Sequence, residues 1–98
     1  MKKFKLIHGK KEFGTMSFNG FFIFELRGDI DLKEWEKFGI IPVDEKTRKC
    51  ESVDLFNYIN SRLPIHLRNA DKEEKIEYIA RSGLKVASDN FEFVSEGL

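Results

Sequence analysis

The sequence predicts an α+β fold in which an antiparallel sheet carries helices on one side. The first 26 residues hold three apolar-rich runs separated by turn residues, which is typical of a β-meander. Residues 29–83 hold helical stripes that end at glycine or proline. Residues 91–94 alternate apolar and polar side chains, as a strand returning to the sheet would. We therefore expect a single domain, residues 1–98, with three N-terminal strands, about three helices and a C-terminal strand.

The N-terminal meander is organised around a hairpin. Residues 3–8 are expected to form the first strand, because apolar and basic side chains alternate there. Asn19-Gly20 then predicts a type I′ turn, which needs φ > 0 at both central residues. This register pairs Phe18 with Phe21 and leaves the outgoing strand, residues 21–26, apolar on both faces. Such a strand is either covered on both sides or keeps one face for a partner.

The first helix is predicted to begin after Asp29 or Asp31 and to run through Phe38, with Gly39 as its left-handed stop. Trp35, the only tryptophan, lies on the apolar stripe of this helix, which indicates packing against the sheet. Tryptophan is also enriched at binding hot spots. A partner anchor is therefore the alternative role, provided that Trp35 is exposed.

Two further helices are predicted in the second half of the chain. Residues 44–51 form a polar loop that contains Cys50, and Ser52 is the expected N-cap of the helix that follows. Pro64 ends that helix or starts the next, since it lacks an N–H group. The apolar stripe of the helix contains Val53, Leu55, Phe56, Ile59 and Leu63.

The third helix is expected over residues 72–82. Asn69 or Asp71 would cap its start, and Gly83 would stop it. Its predicted buried face is narrow and consists of Ile76, Ile79 and Ala80.

Composition and charge limit the class of function. The 98 residues are 35% charged and 41% hydrophobic, which is ordinary for a soluble domain. The 17 basic residues balance the 17 acidic ones, which argues against nucleic-acid binding through a basic face. A single cysteine excludes an intrachain disulfide and suits a reducing cytosol. No signal peptide or membrane-spanning run is recognisable, so we expect a cytoplasmic protein without membrane or direct nucleic-acid contact.

No motif for catalysis, metal binding or a cofactor is present, and none of the three is predicted. Phosphate-binding glycine motifs are absent, and His8 and His66 lack the spacing of zinc ligands. Phe22 and Phe24 could stack on RNA, but the glycine–aromatic strand typical of that activity is missing. An enzyme based on Cys50 would need a nearby base, and no histidine is close in the sequence.

Residues 13–17 and 21–26 form a glycine-containing strand, a turn and an aromatic strand. Residues 55–64, followed by Arg68, form a short helix that ends in Leu-Pro. In their order and spacing, these two segments resemble the N-terminal subdomain of HipA-type serine/threonine kinases. The resemblance covers roughly residues 3–94, although residues 88–91 replace the glycines that usually close the subdomain. The residues matching the family motifs are Gly14, Phe56, Leu63 and Pro64.

If the chain is free-standing, as we expect, it resembles the HipS subunits of three-component HipBST toxin–antitoxin systems. The resemblance implies a non-catalytic, antitoxin-type subunit that binds and restrains a HipT-like kinase toxin. It leaves open a HipB-like helix-turn-helix protein as a further partner. The alternative is a small phage or mobile-element inhibitor or adaptor that binds an unrelated protein. Candidate partner contacts, chosen by residue type and expected exposure, are Trp35, Phe22, Phe24, Tyr58 and Arg62.

Overall fold

The structure, a computed structural model, describes residues 2–51, 53–86 and 89–96. Its strands are β1 Lys2–His8, β2 Lys11–Phe18, β3 Phe22–Leu26, β4 Lys49–Cys50 and β5 Phe91–Ser95. Its helices are α1 Leu32–Phe38, α2 Val53–Ser61 and α3 Lys72–Ser82, with a 3₁₀ turn, Ile65–Leu67, between the last two. Within these ranges the five strands form one antiparallel sheet in the order β4-β3-β2-β1-β5. The predicted α+β class, with the meander and the C-terminal strand in the sheet, is confirmed.

One face of the sheet is buried and the other is partly open to solvent. Phe4, Met16, Phe24 and Cys50 are neighbours across four strands, and none is more than 4% exposed. The next row along the strands contains Lys5, Thr15, Glu25, Lys49 and Val94 and points to the other face. This alternation is what an antiparallel sheet with one covered face requires.

The three helices cover the buried face. Trp35 from α1, Leu55 and Ile59 from α2, and Ile79 from α3 belong to the same hydrophobic cluster as the strands. No helix in the described part of the chain is both long enough and apolar enough to cross a bilayer.

Local signals place the first and third helices. The Asp31 carboxylate accepts from the Glu34 N–H at 3.2 Å, and the Asp71 carboxylate accepts from the Glu74 N–H at 2.9 Å. Gly39 and Gly83 end these helices with φ of 63° and 71°. The predicted extents and glycine stops of both helices are confirmed, and Asp31 and Asp71 are the caps. The N-cap predicted at Ser52 lies outside the described residues.

The register predicted for the β2–β3 hairpin is wrong by one residue. Phe18 pairs with Phe22, and the connection is a three-residue loop, residues 19–21, in which the Asn19 N–H donates to the Phe21 carbonyl at 3.2 Å. Only Gly20 in this loop has positive φ, +84°, so the turn is not type I′. Because a one-residue shift exchanges the faces of a strand, Phe22 and Phe24 now lie in the core.

The shifted register also corrects the prediction that the outgoing strand is apolar on both faces. Phe21 lies in the loop and is 54% exposed, while Glu25 occupies the open face. Buried and more exposed positions therefore alternate along β3, from Phe22 to Leu26.

The predicted polar loop over residues 44–51 contains a strand instead. The Asp44 carboxylate accepts from the Lys46 and Thr47 N–H groups at 2.9 and 2.8 Å, which closes a tight turn. Arg48 follows with φ of 60°, and its carbonyl accepts from the Leu26 N–H at 2.9 Å. These bonds add β4 to the edge of the sheet and bury Cys50 to 4% exposure. A two-residue strand is too short to produce a periodic signal in sequence.

Two predicted helix faces need correction. Val53 begins the predicted stripe of α2 but is 66% exposed; the buried positions of this helix are Leu55, Tyr58 and Ile59. Ala80 is exposed on α3, and the position buried instead is Lys75, which is 3% exposed.

Candidate functional site

The structure places the five predicted partner contacts inside the protein. Trp35 is 2% exposed, Phe24 0%, Phe22 6% and Tyr58 9%, and the Arg62 side chain is 7% exposed. The expectation of exposure is wrong for all five. A partner role for Trp35 was predicted only if its side chain is exposed, and this condition is not met.

Trp35 is a central core residue. Its Nε1–H donates to the Ile41 carbonyl at 2.7 Å, and its ring stacks on Phe24 at a centroid distance of 5.5 Å. Phe13 and Phe38 contact the other parts of the indole at 5.5 and 5.9 Å. A buried indole needs a hydrogen-bond acceptor for its N–H, and here the chain after α1 supplies it.

Arg62 joins α2 to the C-terminal strand. Its guanidinium makes two parallel bonds, both 2.9 Å, to the Asp89 carboxylate, and further bonds to the carbonyls of Leu84 at 2.7 Å and Phe91 at 3.2 Å. It also lies 5.2 Å from the centre of the Tyr58 ring. Since every one of these groups belongs to this chain, Arg62 stabilises the fold from within.

We expect Asp89→Asn to reduce the free energy of unfolding by about 2 kcal/mol, because it leaves a buried guanidinium without its counter-charge. The hydrogen bonds from Arg62 hold the pKa of Asp89 below its ordinary value. The stabilisation is therefore present above the ordinary aspartate pKa and is lost as the pH falls through the lowered value. Urea denaturation at a series of acidic pH values should show a shallower pH dependence in the variant.

The matched control is Asp29→Asn. Asp29 forms an ion pair with Arg27 at 3.0 Å, but both side chains are well exposed, so its loss should change stability by at most about 0.5 kcal/mol. Equal losses in the two variants would contradict the structural role given to Arg62.

Tyr58 is a second residue whose ionisation should make the stability of the fold depend on pH. Burial raises its pKa to about 12, and its hydroxyl has no hydrogen-bond partner in the described part of the chain. We expect Tyr58→Phe to be at least as stable as the wild type, since no hydrogen bond is lost. The unfolded chain releases the phenolic proton near pH 10, so the wild type should lose stability between about pH 10 and 12. The variant should lack that loss in urea titrations, and a marked destabilisation by Tyr58→Phe would contradict this description.

The structure shows where the four residues that match the family motifs lie. Gly14 lies on β2 beside β3, and a Cβ there would overlap the Glu25 carbonyl oxygen and stand 2.6 Å from Cζ of Phe24. Leu63 is 3% exposed, and Pro64 directly precedes the 3₁₀ turn. Phe56 and Pro64 are half-buried, and Phe56 lines two grooves at the protein surface.

The candidate functional site is an apolar surface at the end of the sheet where the β2–β3 loop meets α2 and α3. Two adjoining grooves form it and share Phe56 and Lys72. The exposed apolar residues Phe21 and Val53 line one groove, and Phe18 lines the other. We call this the Phe21 surface; its apolar members are Phe18, Phe21, Val53 and Phe56, and the buried Phe22 also lines the first groove.

Two lysines lie on the aromatic rings of this surface. Lys72 Nζ donates to the Gly20 carbonyl at 2.7 Å and lies 6.0 Å from the centre of the Phe18 ring. Lys75 Nζ donates to Asn60 Oδ1 at 3.1 Å and lies 4.4 Å above the Phe56 ring. Burial, and secondly the charge of Lys72, lowers the pKa of Lys75.

Sequence reasoning missed most of this surface. The Asn-Gly signal placed Phe21 in a strand, and helical spacing placed Val53 in the core. The observed loop is one residue longer than the predicted turn and leaves Phe21 outside the sheet. The sequence did not indicate this, because an Asn-Gly dipeptide favours two-residue turns.

The surface has the apolar character of a binding surface. In residues 2–51, 53–86 and 89–96, no group of His, Cys, Asp or Glu side chains is arranged to hold a metal ion. Contiguous exposed aromatic and aliphatic side chains are typical of protein-binding surfaces.

No protein-family profile matches this sequence, and no curated protein matches it. The structure, however, superposes on a solved structure described as the N-terminal domain of HipA toxin. The TM-score is 0.67, and the match covers 99% of this chain and 94% of the other, with 16% sequence identity. The chain has the fold of the N-terminal domain of HipA toxin. The resemblance predicted from the two motif segments is thus confirmed at the level of the fold.

The match to the HipA N-terminal domain includes the whole sheet and all three helices, since it spans nearly the full length of both chains. The two chains share this fold although only 16% of their compared residues are identical.

Proposed function

We propose that this chain is a non-catalytic, antitoxin-type subunit that binds and restrains a HipT-like serine/threonine kinase toxin in a three-component toxin–antitoxin complex. The observation that carries the proposal is the near-complete structural match to the N-terminal domain of HipA toxin. The motif segments around Gly14 and Leu63-Pro64, which resemble the same family, support it independently. A HipB-like helix-turn-helix protein is the proposed third component.

Restraint of a kinase by such a domain needs no chemistry of its own. A bound subunit shifts the kinase toward an inactive state if it binds that state more tightly than the active one. The hydrophobic core that includes Trp35 and Phe24 keeps the domain rigid, so little of the binding free energy would be spent on ordering it. The Phe21 surface offers the apolar contacts from which such affinity usually comes.

The proposal is tested by co-expressing the chain with the products of its neighbouring genes, among which we expect a HipT-like kinase. We expect the two proteins to co-purify and the chain to suppress kinase autophosphorylation. A catalytically inactive kinase variant serves as the control that separates binding from turnover.

Three outcomes are distinguishable in this experiment. A stable complex with suppressed autophosphorylation supports the antitoxin role. Binding without suppression overturns restraint and leaves an assembly subunit. Failure to bind overturns the proposal and favours an adaptor for an unrelated protein.

A further inference from the structure

We propose that Asn19-Gly20, in the loop that carries Phe21, is a site of spontaneous deamidation in the folded protein. The Asn19 side chain forms a cyclic imide with the Gly20 main-chain nitrogen, and water then opens the ring. The reaction puts a new carboxylate into this loop without the help of an enzyme. The inference does not depend on the proposed function, because it concerns the isolated chain.

The reaction involves only these two residues, hydroxide and water. The Gly20 nitrogen loses its proton to hydroxide and bonds to Cγ of Asn19, and Nδ2 leaves as ammonia. Water opens the imide in one of two ways. Cleavage of the bond between the Gly20 nitrogen and Cγ gives aspartate. Cleavage of the bond between that nitrogen and the Asn19 main-chain carbonyl carbon gives isoaspartate, in which the main chain runs through Cγ.

The attacking nitrogen at Gly20 is accessible. A Cβ on the residue after an asparagine hinders the approach of its nitrogen to the side chain, and glycine has none. Both Asn19 and Gly20 are exposed, and nothing lies within 4 Å of the position that a Cβ would occupy at Gly20. Exposed loops are also more mobile than the strands they connect, which helps the two atoms to meet.

The Gly20 N–H is also free of the hydrogen bonds that would hold it in place. Within the described part of the chain, no backbone acceptor for it is found in the loop between β2 and β3. The only bonds of this loop are the one from the Asn19 N–H to the Phe21 carbonyl and the one from Lys72 Nζ to the Gly20 carbonyl. Neither bond uses the nitrogen that has to attack.

The other asparagines are protected by the fold. The sequence contains five in all, namely Asn19, Asn57, Asn60, Asn69 and Asn90. Two of them lie within α2, where the nitrogen of the next residue is bonded to the carbonyl four residues earlier. The nitrogen that follows Asn69 donates to the Leu67 carbonyl at 3.1 Å, and the nitrogen that follows Asn90 donates to the Asp89 carboxylate at 3.0 Å.

The products change the surroundings of Lys72. Because Lys72 Nζ donates to the Gly20 carbonyl at 2.7 Å, the new carboxylate forms one residue away from an ammonium group. The formally neutral chain then carries one net negative charge. The isoaspartate product also adds an atom to the main chain of a loop only three residues long. Both changes alter the Phe21 surface.

Ageing of the purified, intact chain tests the site. The protein is incubated at mildly acidic and mildly alkaline pH, its charge variants are separated by anion exchange, and peptides are mapped by mass spectrometry that distinguishes aspartate from isoaspartate. We expect Asn19 to react at least about tenfold faster than any other asparagine, because only there does glycine supply the nitrogen. The rate should rise with pH, and isoaspartate should be among the products. Aspartate alone would overturn the imide route.

The same incubation in guanidinium chloride gives the rates of the unfolded chain. Unfolding frees the nitrogens that follow Asn69 and Asn90, so these two residues should react faster than in the folded protein. The rate at Asn19 should differ by less than about tenfold between the two states, since the fold does not protect it. Deamidation of Asn19 in the unfolded chain but not in the folded one would overturn the inference.

Two variants separate the reaction from its effect on the surface. Asn19→Gln should lack the early charge variant, because the longer side chain closes its ring much more slowly; a variant that persists would assign the reaction to another residue. Asn19→Asp places the carboxylate without lengthening the main chain and should elute with the aspartate product. Its NMR spectrum should show shifts at Gly20 and Lys72, and an unchanged Lys72 signal would contradict the predicted change of the surface.

Discussion

Gly14→Ala is expected to destabilise the protein by about 3 kcal/mol, a large fraction of the stability of a domain of this size. The added methyl group would overlap the Glu25 carbonyl oxygen and stand 2.6 and 2.8 Å from two atoms of the Phe24 ring. The carbonyl cannot move away without disturbing the pairing of β2 with β3, and the Phe24 ring is fully buried. Urea denaturation followed by far-UV circular dichroism measures the loss.

Gly28→Ala is the control for this prediction. Nothing lies within 4 Å of the position that a Cβ would occupy at Gly28, and its φ is not in the positive range. We expect a change within about 0.5 kcal/mol, as for most surface substitutions. If Gly14→Ala proved as mild as Gly28→Ala, the close approach of the two strands described here would be incorrect.

Trp35→Ala is expected to have the largest effect, a loss of about 4 kcal/mol in the free energy of unfolding. The substitution removes the ring that contacts Phe13, Phe24 and Phe38, and leaves a cavity at the centre of the core. It also leaves the Ile41 carbonyl without its donor. Trp35→Phe keeps much of the volume and should cost about 2 kcal/mol, mainly for that unpaired carbonyl. Urea midpoints measured by circular dichroism, rather than by fluorescence, compare these variants because the tryptophan itself is removed.

An aromatic residue outside the core provides the comparison for Trp35. Phe21→Ala removes a ring that is 54% exposed, so it should change the urea midpoint only slightly. Comparable losses for Trp35→Ala and Phe21→Ala would place the core elsewhere than the structure does.

The elements that the sequence predicts well are those in which several local signals agree. For α1 and α3, an aspartate cap, an apolar stripe and a terminal glycine all point to the same boundaries. The α+β class follows because these helices come after a run of alternating strands. The strand β4 has no such signal, since its two residues are held by the turn at Asp44 and by pairing with β3.

The candidate site was predicted less well, for a physical reason. Tryptophan and the other aromatic residues are favoured both in cores and at interfaces. Residue type alone therefore could not show that Trp35 is buried and Phe21 exposed. The deciding factor was the length of one loop. A three-residue connection turned Phe22 and Phe24 inward and left Phe21 outside, and only the strand register reveals this.

Hydrogen bonds with Arg62, Asp89 and Gly83 affect whether another strand can be added to the sheet at β5. The Phe91 carbonyl accepts from Arg62, the Phe91 N–H donates to Asp89, and the Phe93 N–H donates to the Gly83 carbonyl. These backbone groups lie on β5, the edge strand, and they are not available to hydrogen-bond with an added strand. Edge-to-edge polymerisation and strand donation by a partner are therefore disfavoured at β5. Association at this edge of the sheet would then depend on side-chain complementarity, which evolution can alter one residue at a time without redesigning the sheet.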